Sequence, residues 1–131
     1  MTIYRLLATT LLVVLGACMT APVQVRNGIM TNNAGMTLYT YDKDSPNSGK
    51  SVCNGPCAKN WAPLLAKADD KAAGYWTVIT RDDGGKQWAF RGKPVYLWVK
   101  DQKPGDRTGD GFNNAWRVIA EDKPAASVDG Y

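Results

Sequence analysis

The same ten-residue pattern occurs twice in this chain, and the duplication constrains the fold more than any other feature. Residues 35–44 read GMTLYTYDKD and residues 92–101 read GKPVYLWVKD. A glycine, an aliphatic residue, a tyrosine, a second aromatic residue and an aspartate recur at one offset of 57 residues. Gly28 and Gly85 match at the same offset, so the repeat extends beyond the motif. With 131 residues, the chain has room for one domain built from two copies of one unit.

The aromatic positions of the motif alternate with aliphatic ones. The motif residues are Tyr39, Tyr41, Asp44, Tyr96, Trp98 and Asp101. Because neighbouring side chains in a strand point to opposite faces, each copy has an aliphatic face and an aromatic face. This pattern is typical of a central strand that is covered on both sides, so we predict that the rings lie in the core. The alternative is that some rings stay open as a flat platform for a sugar or another ligand.

An aspartate follows each repeated strand, at the point where the chain enters a loop. A carboxylate there can accept backbone N–H groups and fix the loop entrance, and we predict this structural role for Asp44 and Asp101. Metal binding is the alternative, since Asp101, Asp106 and Asp110 are spaced through the second loop. Calcium prefers six to eight oxygen ligands, and the sequence DRTGDG departs from the EF-hand pattern. We therefore predict no metal and no other cofactor.

Short segments with strand-like patterns surround the motif in both halves. The predicted strands are residues 23–26, 29–32, 36–41, 76–80, 86–90, 95–100 and 116–120. Residues 61–65 correspond to the last of these, but Pro63 restricts them to a sheet edge or an irregular segment. Residues 57–60 and 66–73 are candidates for a turn or two of helix. The sequence predicts an all-β fold in which two pseudo-repeated units of about four antiparallel strands form a sandwich or small barrel with long loops.

The N-terminal residues have the layout of a secretory signal. Residues 1–17 place Arg5 before an apolar run that is too short to span a bilayer permanently. The junction Leu15-Gly16-Ala17-Cys18 resembles a bacterial lipobox, which implies cleavage before Cys18 and acylation of that cysteine. An ordinary signal peptide followed by a chance cysteine is the alternative. Acyl chains on Cys18 would anchor the mature protein in a membrane.

These observations divide the chain into four parts. Residues 1–17 are the predicted signal peptide, residues 18–24 the lipidated N-terminus and short tether, residues 25–121 the duplicated β-domain, and residues 122–131 a flexible tail. Met19, rather than an aspartate, follows the cysteine. By analogy with sorting in Gram-negative bacteria, this favours the outer membrane, facing the periplasm or the surface.

Two cysteines remain once Cys18 is assigned to lipid. Cys53 and Cys57 enclose Asn-Gly-Pro, and in an oxidising compartment a disulfide is the expected state. A loop of about five residues gives roughly 2 kcal/mol in the chain-entropy model. We predict a structural bond that pins the long loop near Trp61. The alternative is a thiol–disulfide or redox-metal role, although the thioredoxin-type context of a βαβ pattern is not evident.

Histidine is absent from the sequence. This removes the commonest general base, the commonest zinc ligand and every arrangement that pairs histidine with serine or cysteine. The net charge of +4 is spread along the chain, whereas nucleic-acid binders concentrate basic residues on one face. We therefore predict no catalytic residues, no enzymatic activity and no nucleic-acid partner.

The chain resembles a known bacterial family at several places in order. The lipobox, the two Tyr-x-aromatic-x-x-Asp motifs, the stretch SVCNGPCAKNWAPLL and the closing tryptophans, Trp61 and Trp116, resemble the secreted-repeat lipoproteins over nearly all of residues 25–120. The molecular function of that family is undefined, so the resemblance implies fold and location and supplies no catalytic residues. We expect a cell-envelope lipoprotein that is a binding or structural module, with an unknown envelope glycan or protein as partner. The alternatives are the redox role of Cys53 and Cys57 and inhibition of an envelope hydrolase.

Overall fold

The computed structural model describes residues 21–121, and the predictions for the signal peptide, Cys18 and the tail lie outside these residues. The described part contains nine strands, one short α-helix and a 3₁₀ turn at Phe112–Asn114. The strands are β1 (Val23–Arg26), β2 (Ile29–Asn32), β3 (Leu38–Tyr41), β4 (Trp61–Pro63), β5 (Trp76–Thr80), β6 (Lys86–Phe90), β7 (Lys93–Pro94), β8 (Tyr96–Trp98) and β9 (Trp116–Val118). The helix α1 spans Pro56–Asn60.

The strands form three antiparallel sheets. One is the β1–β2 hairpin, the second has the order β5-β6-β7, and the third has the order β4-β8-β3-β9. Each of the two smaller sheets comes from one repeat, whereas the four-stranded sheet takes two strands from each. The all-β prediction with two repeated units is confirmed. The small-barrel alternative is wrong for residues 21–121, because none of the three sheets closes on itself.

The four-stranded sheet has approximate twofold symmetry. At its centre Tyr39 pairs with Tyr96, which is its own counterpart in the other repeat. On the outer sides Tyr41 pairs with Trp116, and Trp98 pairs with Trp61. The repeated strands β3 and β8 are therefore the two central strands, and each repeat contributes one central strand and one outer strand to the sheet.

Local sequence explains several of the boundaries. Asn27 and Gly28 both have positive φ, 50° and 76°, as a two-residue turn between strands requires. Pro63 lies in β4, at an edge of its sheet, where a missing N–H is tolerated. The candidate helix at residues 66–73 is wrong, because Ala66 donates its N–H to the carbonyl of Lys86 and the rest of the segment is turn and irregular structure.

The core consists of two layers, one on each face of the four-stranded sheet. The largely aliphatic layer contains Met30, Leu38, Leu64, Trp88, Val95 and Ile119. The second layer, called here the aromatic layer, contains Tyr39, Cys53, Trp61, Tyr96, Trp98 and Trp116. Leu38 and Val95 thus lie opposite Tyr39 and Tyr96, as the period of two along the repeated strands predicts.

Candidate functional site

The rings of the repeated motif are covered by protein. Tyr39 and Tyr96 are 0% exposed and Trp98 is 6% exposed, while Tyr41 is half-buried. Burial of this extent leaves no flat face of Tyr39, Tyr96 or Trp98 on which a sugar could stack. The motif residues therefore do not form the open ligand platform considered from the sequence, and they occupy the core instead.

Four rings of the aromatic layer and its edge form a continuous stack, called here the ring stack. Trp61 and Trp116 lie at its centre, with ring centroids 3.8 Å apart and planes 2° from parallel. Tyr41 stacks on Trp116 at 4.2 Å, and Trp98 stacks on Trp61 at 4.0 Å. A Cβ on Gly109 would lie 2.7 Å from Trp61, so only glycine fits against the stack. The two closing tryptophans thus join the repeats through direct ring contact.

The tyrosines and aspartates of the motif form hydrogen bonds across the repeats. Tyr39 donates its hydroxyl to Asp101 at 2.6 Å, and Tyr96 donates to Asp44 at 2.6 Å. Each tyrosine therefore bonds the aspartate of the other copy and not that of its own. Both bonds lie in the buried part of the sheet, where a hydroxyl without a partner would cost stability. The motif therefore joins the two repeats through side-chain hydrogen bonds.

The second oxygen of each aspartate holds the loop that follows it. Asp44 Oδ1 accepts the N–H of Val52 at 2.8 Å. Asp101 Oδ1 accepts the N–H of Thr108 at 2.9 Å and the hydroxyl of Thr108 at 2.6 Å. Each aspartate thus binds its own loop with one carboxylate oxygen and the tyrosine of the other repeat with the second.

The loops themselves also cross between the repeats. The N–H of Asn47 donates to the carbonyl of Gly92 at 3.0 Å, and the N–H of Gly105 donates to that of Gly35 at 3.4 Å. Each loop therefore lies against the glycine that begins the motif of the other copy. The loops are positioned by the duplicated core.

Burial of the two motif tyrosines changes their acidity. The low-polarity surroundings raise the pKa of both hydroxyls far above the ordinary value, and the hydrogen bonds to Asp101 and Asp44 raise it further, because each neutral hydroxyl donates to a carboxylate. Tyr39 and Tyr96 consequently keep their protons in the folded protein at pH values where the unfolded chain loses them.

The free energy of unfolding should fall as the pH rises above the ordinary tyrosine pKa of 10.0. The folded protein binds more protons there, and each retained proton lowers the unfolding free energy by about 1.4 kcal/mol per pH unit. Urea denaturation at a series of pH values between about 8 and 11 measures the slope. The double variant Tyr39→Phe/Tyr96→Phe should show a shallower slope, while Tyr75→Phe, at an exposed position, serves as the control. An equal slope in the double variant and the wild type would contradict the assignment.

A buried arginine extends the hydrogen-bond pair formed by Tyr96 and Asp44. Arg81 is 2% exposed and donates to Gln87 Oε1 at 2.8 Å, to the carbonyl of Cys53 at 2.7 Å and to Ser51 Oγ at 3.1 Å. Ser51 Oγ lies 2.6 Å from the hydroxyl of Tyr96. Sequence reasoning missed this network, because Arg81 begins a charged turn that resembles a solvated one, and Ser51 and Cys53 are 30 and 28 residues away in sequence.

The predicted disulfide between Cys53 and Cys57 is confirmed. Cys53 is fully buried in the aromatic layer, whereas Cys57 is half-buried in the short helix that leads directly into Trp61. The bond therefore connects the first loop to the ring stack. The redox role considered for this pair stays a hypothesis.

The three aspartates considered for metal binding are engaged by backbone groups. Asp101 accepts bonds from Tyr39 and Thr108, as described above. Asp106 Oδ2 accepts the N–H groups of Gln102 and Lys103, and these bonds lower its pKa. Asp110 Oδ1 accepts the N–H of Val118 at 3.2 Å. Each carboxylate thus stabilises the loop that carries it. Between residues 21 and 121, no cluster of three or more potential metal ligands is found.

Comparison with known families matches both halves of the chain. A family model described as a secreted repeat of unknown function covers residues 23–65 and again residues 77–120. Neither the curated proteins nor the solved structures give a significant match. No helix between residues 21 and 121 is long and apolar enough to cross a membrane. The two matched segments contain the crossed tyrosine–aspartate pairs and the ring stack, and together they span most of the chain. The chain therefore belongs to the family of secreted repeats, whose membership implies export from the cell.

Proposed function

We propose that this exported protein is a cell-envelope lipoprotein, anchored by acyl chains on Cys18, that serves as a non-enzymatic binding or structural module. The observation that carries the proposal is the lipobox-like junction that ends at Cys18, only five residues before β1 begins at Val23. At about 3.5 Å per residue, this tether reaches roughly 18 Å. The domain then lies close to its membrane, which we propose to be the outer membrane.

The internal engagement of the motif supports a binding or structural role for the loops. The motif hydroxyls and carboxylates are bonded to one another across the repeats. They hold the first loop, residues 42–55, and the second loop, residues 99–115, against the opposite repeat. The loops and turns on this rigid core therefore provide the surface for a binding partner. An envelope glycan or an envelope protein is the class of partner that such a location provides.

Replacement of Cys18 by serine should move the protein from the membrane fraction to the soluble fraction. Acyl chains contribute about 0.8 kcal/mol for each buried CH₂ group, and serine cannot carry the thioether-linked lipid. The measurement is fractionation of cells that express the full chain, together with intact mass of the purified product. The double variant Cys53→Ser/Cys57→Ser, which keeps Cys18, is the matched control and should remain in the membrane fraction. A Cys18→Ser protein that has the mass of the cleaved chain and still fractionates with membranes, or a wild type without added acyl mass, would refute the anchor.

A further inference from the structure

A small cleft between the β1–β2 turn and the second loop carries two arginine side chains, and it is called here the arginine cleft. It has a volume of about 180 Å³, and Arg26 and Arg107 line it together with Thr31, Thr37 and Gly105. Both arginines are exposed. Within residues 21–121, neither guanidinium makes a hydrogen bond or an ion pair. Two positive charges thus share one cleft without a protein anion.

The guanidinium of Arg26 lies beside Gly35. Nη1 of Arg26 lies 2.9 Å, and Cβ of Pro104 lies 3.0 Å, from the point where a Cβ on Gly35 would stand. Gly35 also has a φ of +83°, a conformation that favours glycine. The first residue of the repeated motif therefore leaves the room that the arginine and the second loop occupy.

The other repeat has an ion pair between its loop and its turn at the corresponding position. Arg107 corresponds to Lys50 at the offset of 57 residues, and Lys50 Nζ lies 3.4 Å from Asp82 Oδ1 in the β5–β6 turn. Arg26 corresponds at the same offset to Asp83, the neighbour of Asp82. In one half of the molecule, loop and turn therefore meet with opposite charges. In the other half Val25 stands where Asp82 would be, and Arg26 and Arg107 line the cleft, so within residues 21–121 the lysine–aspartate ion pair has no counterpart there.

We propose that the arginine cleft binds a phosphate-type oxyanion, which supplies the negative charge that Asp82 supplies in the other repeat. The planar fork of a guanidinium matches phosphate oxygens in a bidentate manner, and a dianion balances two arginines. The hydroxyls of Thr31 and Thr37 already donate to the carbonyls of Asn32 and Asp106, so the arginines are the principal donors. Because both are exposed, binding weakens as the salt concentration rises.

Two sources can supply such a phosphate. One is a soluble phosphate compound, and the other is a phospholipid headgroup of the membrane that holds the protein. Arg26 follows Cys18 by eight residues, so the cleft lies within about 28 Å of the lipid anchor even for a fully extended chain. Binding of a phospholipid headgroup rests on the proposed anchoring at Cys18, whereas binding of a soluble phosphate compound does not.

Titration of inorganic phosphate into the full-length protein in non-ionic detergent, at constant ionic strength, tests the cleft. Amide resonances of Gly35 and Gly105, followed by NMR, should shift in a saturable manner. Arg26→Gln and Arg107→Gln should each weaken the apparent affinity at least about tenfold, as loss of a charge-assisted contact predicts. Lys50→Gln is the matched control, since it removes the corresponding cation of the other repeat, and it should leave the affinity unchanged. An affinity that is insensitive to both arginine variants would overturn the proposal.

A second arm separates the two sources. The same resonances are compared in nanodiscs of phosphatidylcholine and in nanodiscs that contain phosphatidylglycerol. Shifts that need phosphatidylglycerol and both arginines identify the headgroup, whereas shifts with inorganic phosphate alone identify a soluble ligand. No response to either form of phosphate refutes the site. Phosphate binding by the full-length Cys18→Ser variant would leave the cleft intact even if the lipid anchor were disproved.

Discussion

Replacement of Asp101 by alanine should lower the free energy of unfolding by about 3–5 kcal/mol. The carboxylate is 7% exposed and accepts hydrogen bonds from the hydroxyl of Tyr39 and from both the N–H and the hydroxyl of Thr108. Alanine leaves the buried tyrosine hydroxyl without its acceptor and releases the second loop. Urea denaturation of the purified protein measures the change. Asp110→Ala is the control, because that exposed carboxylate accepts one bond, of 3.2 Å, from residues 21–121, and its loss should cost less than about 1 kcal/mol.

Double-mutant cycles test whether the pairing crosses the repeats. Tyr39→Phe combined with Asp101→Asn should show a coupling energy of about 1–3 kcal/mol, since Tyr39→Phe removes the donor and Asp101→Asn replaces its charged acceptor by a neutral amide. Tyr39→Phe combined with Asp44→Asn, a pair within one copy, should be additive within about 0.5 kcal/mol. Coupling that is stronger within one copy than between copies would contradict the crossed arrangement.

The pairing of each tyrosine with the aspartate of the other copy could not be predicted from the sequence. Alternation along β3 and β8 predicts that Tyr39 and Tyr96 are buried, because the period of two is a local property of each strand. It contains no information on which aspartate each tyrosine meets. That choice depends on β3 and β8 lying side by side, which is a property of the folded sheet. The role of the aspartates at the loop entrances could be predicted, whereas their role between the repeats could not.

Arg81 illustrates the same limit for the site. Its partners, Ser51, Cys53 and Gln87, come from a loop and a strand that meet only in three dimensions. In sequence it precedes two aspartates and two glycines, a composition that is typical of an exposed turn. The short disulfide ring, by contrast, could be predicted, because both cysteines and the turn residues between them lie within five positions.

Duplication makes the differences between the two halves informative. The core strands repeat closely, with Tyr39 opposite Tyr96 and equivalent ring pairs on either side. Charges at the loop–turn contact do not repeat, since Lys50 meets Asp82 in one half while Arg26 and Arg107 share the cleft in the other. The tyrosines, aspartates and ring pairs common to both copies hold the fold together. The candidate ligand site lies instead at a loop–turn contact whose charges differ between the copies.

Replacement of Trp61 by alanine should cost about 3–5 kcal/mol, the range for removal of a core tryptophan. Trp61 is 3% exposed and lies between Trp116 and Trp98 in the ring stack, with the edge of Tyr39 at 5.4 Å. Alanine would therefore open a cavity between the two repeats. Chemical denaturation gives the loss of stability, and near-UV circular dichroism should lose the signal of the coupled Trp61–Trp116 pair.

Trp76→Ala is the matched control for this prediction. Trp76 is half-buried on β5, where it contacts Phe90 at 4.9 Å and Trp88 at 6.3 Å between ring centroids. Its removal should cost about 2 kcal/mol, because part of the ring is already in water, and should leave the coupled signal in place. Contact between the closing tryptophans holds the two repeats together only if Trp61→Ala is the more destabilising change. Equal losses for the two variants, or a coupled signal that survives without Trp61, would instead assign that role to the crossed tyrosine–aspartate bonds alone.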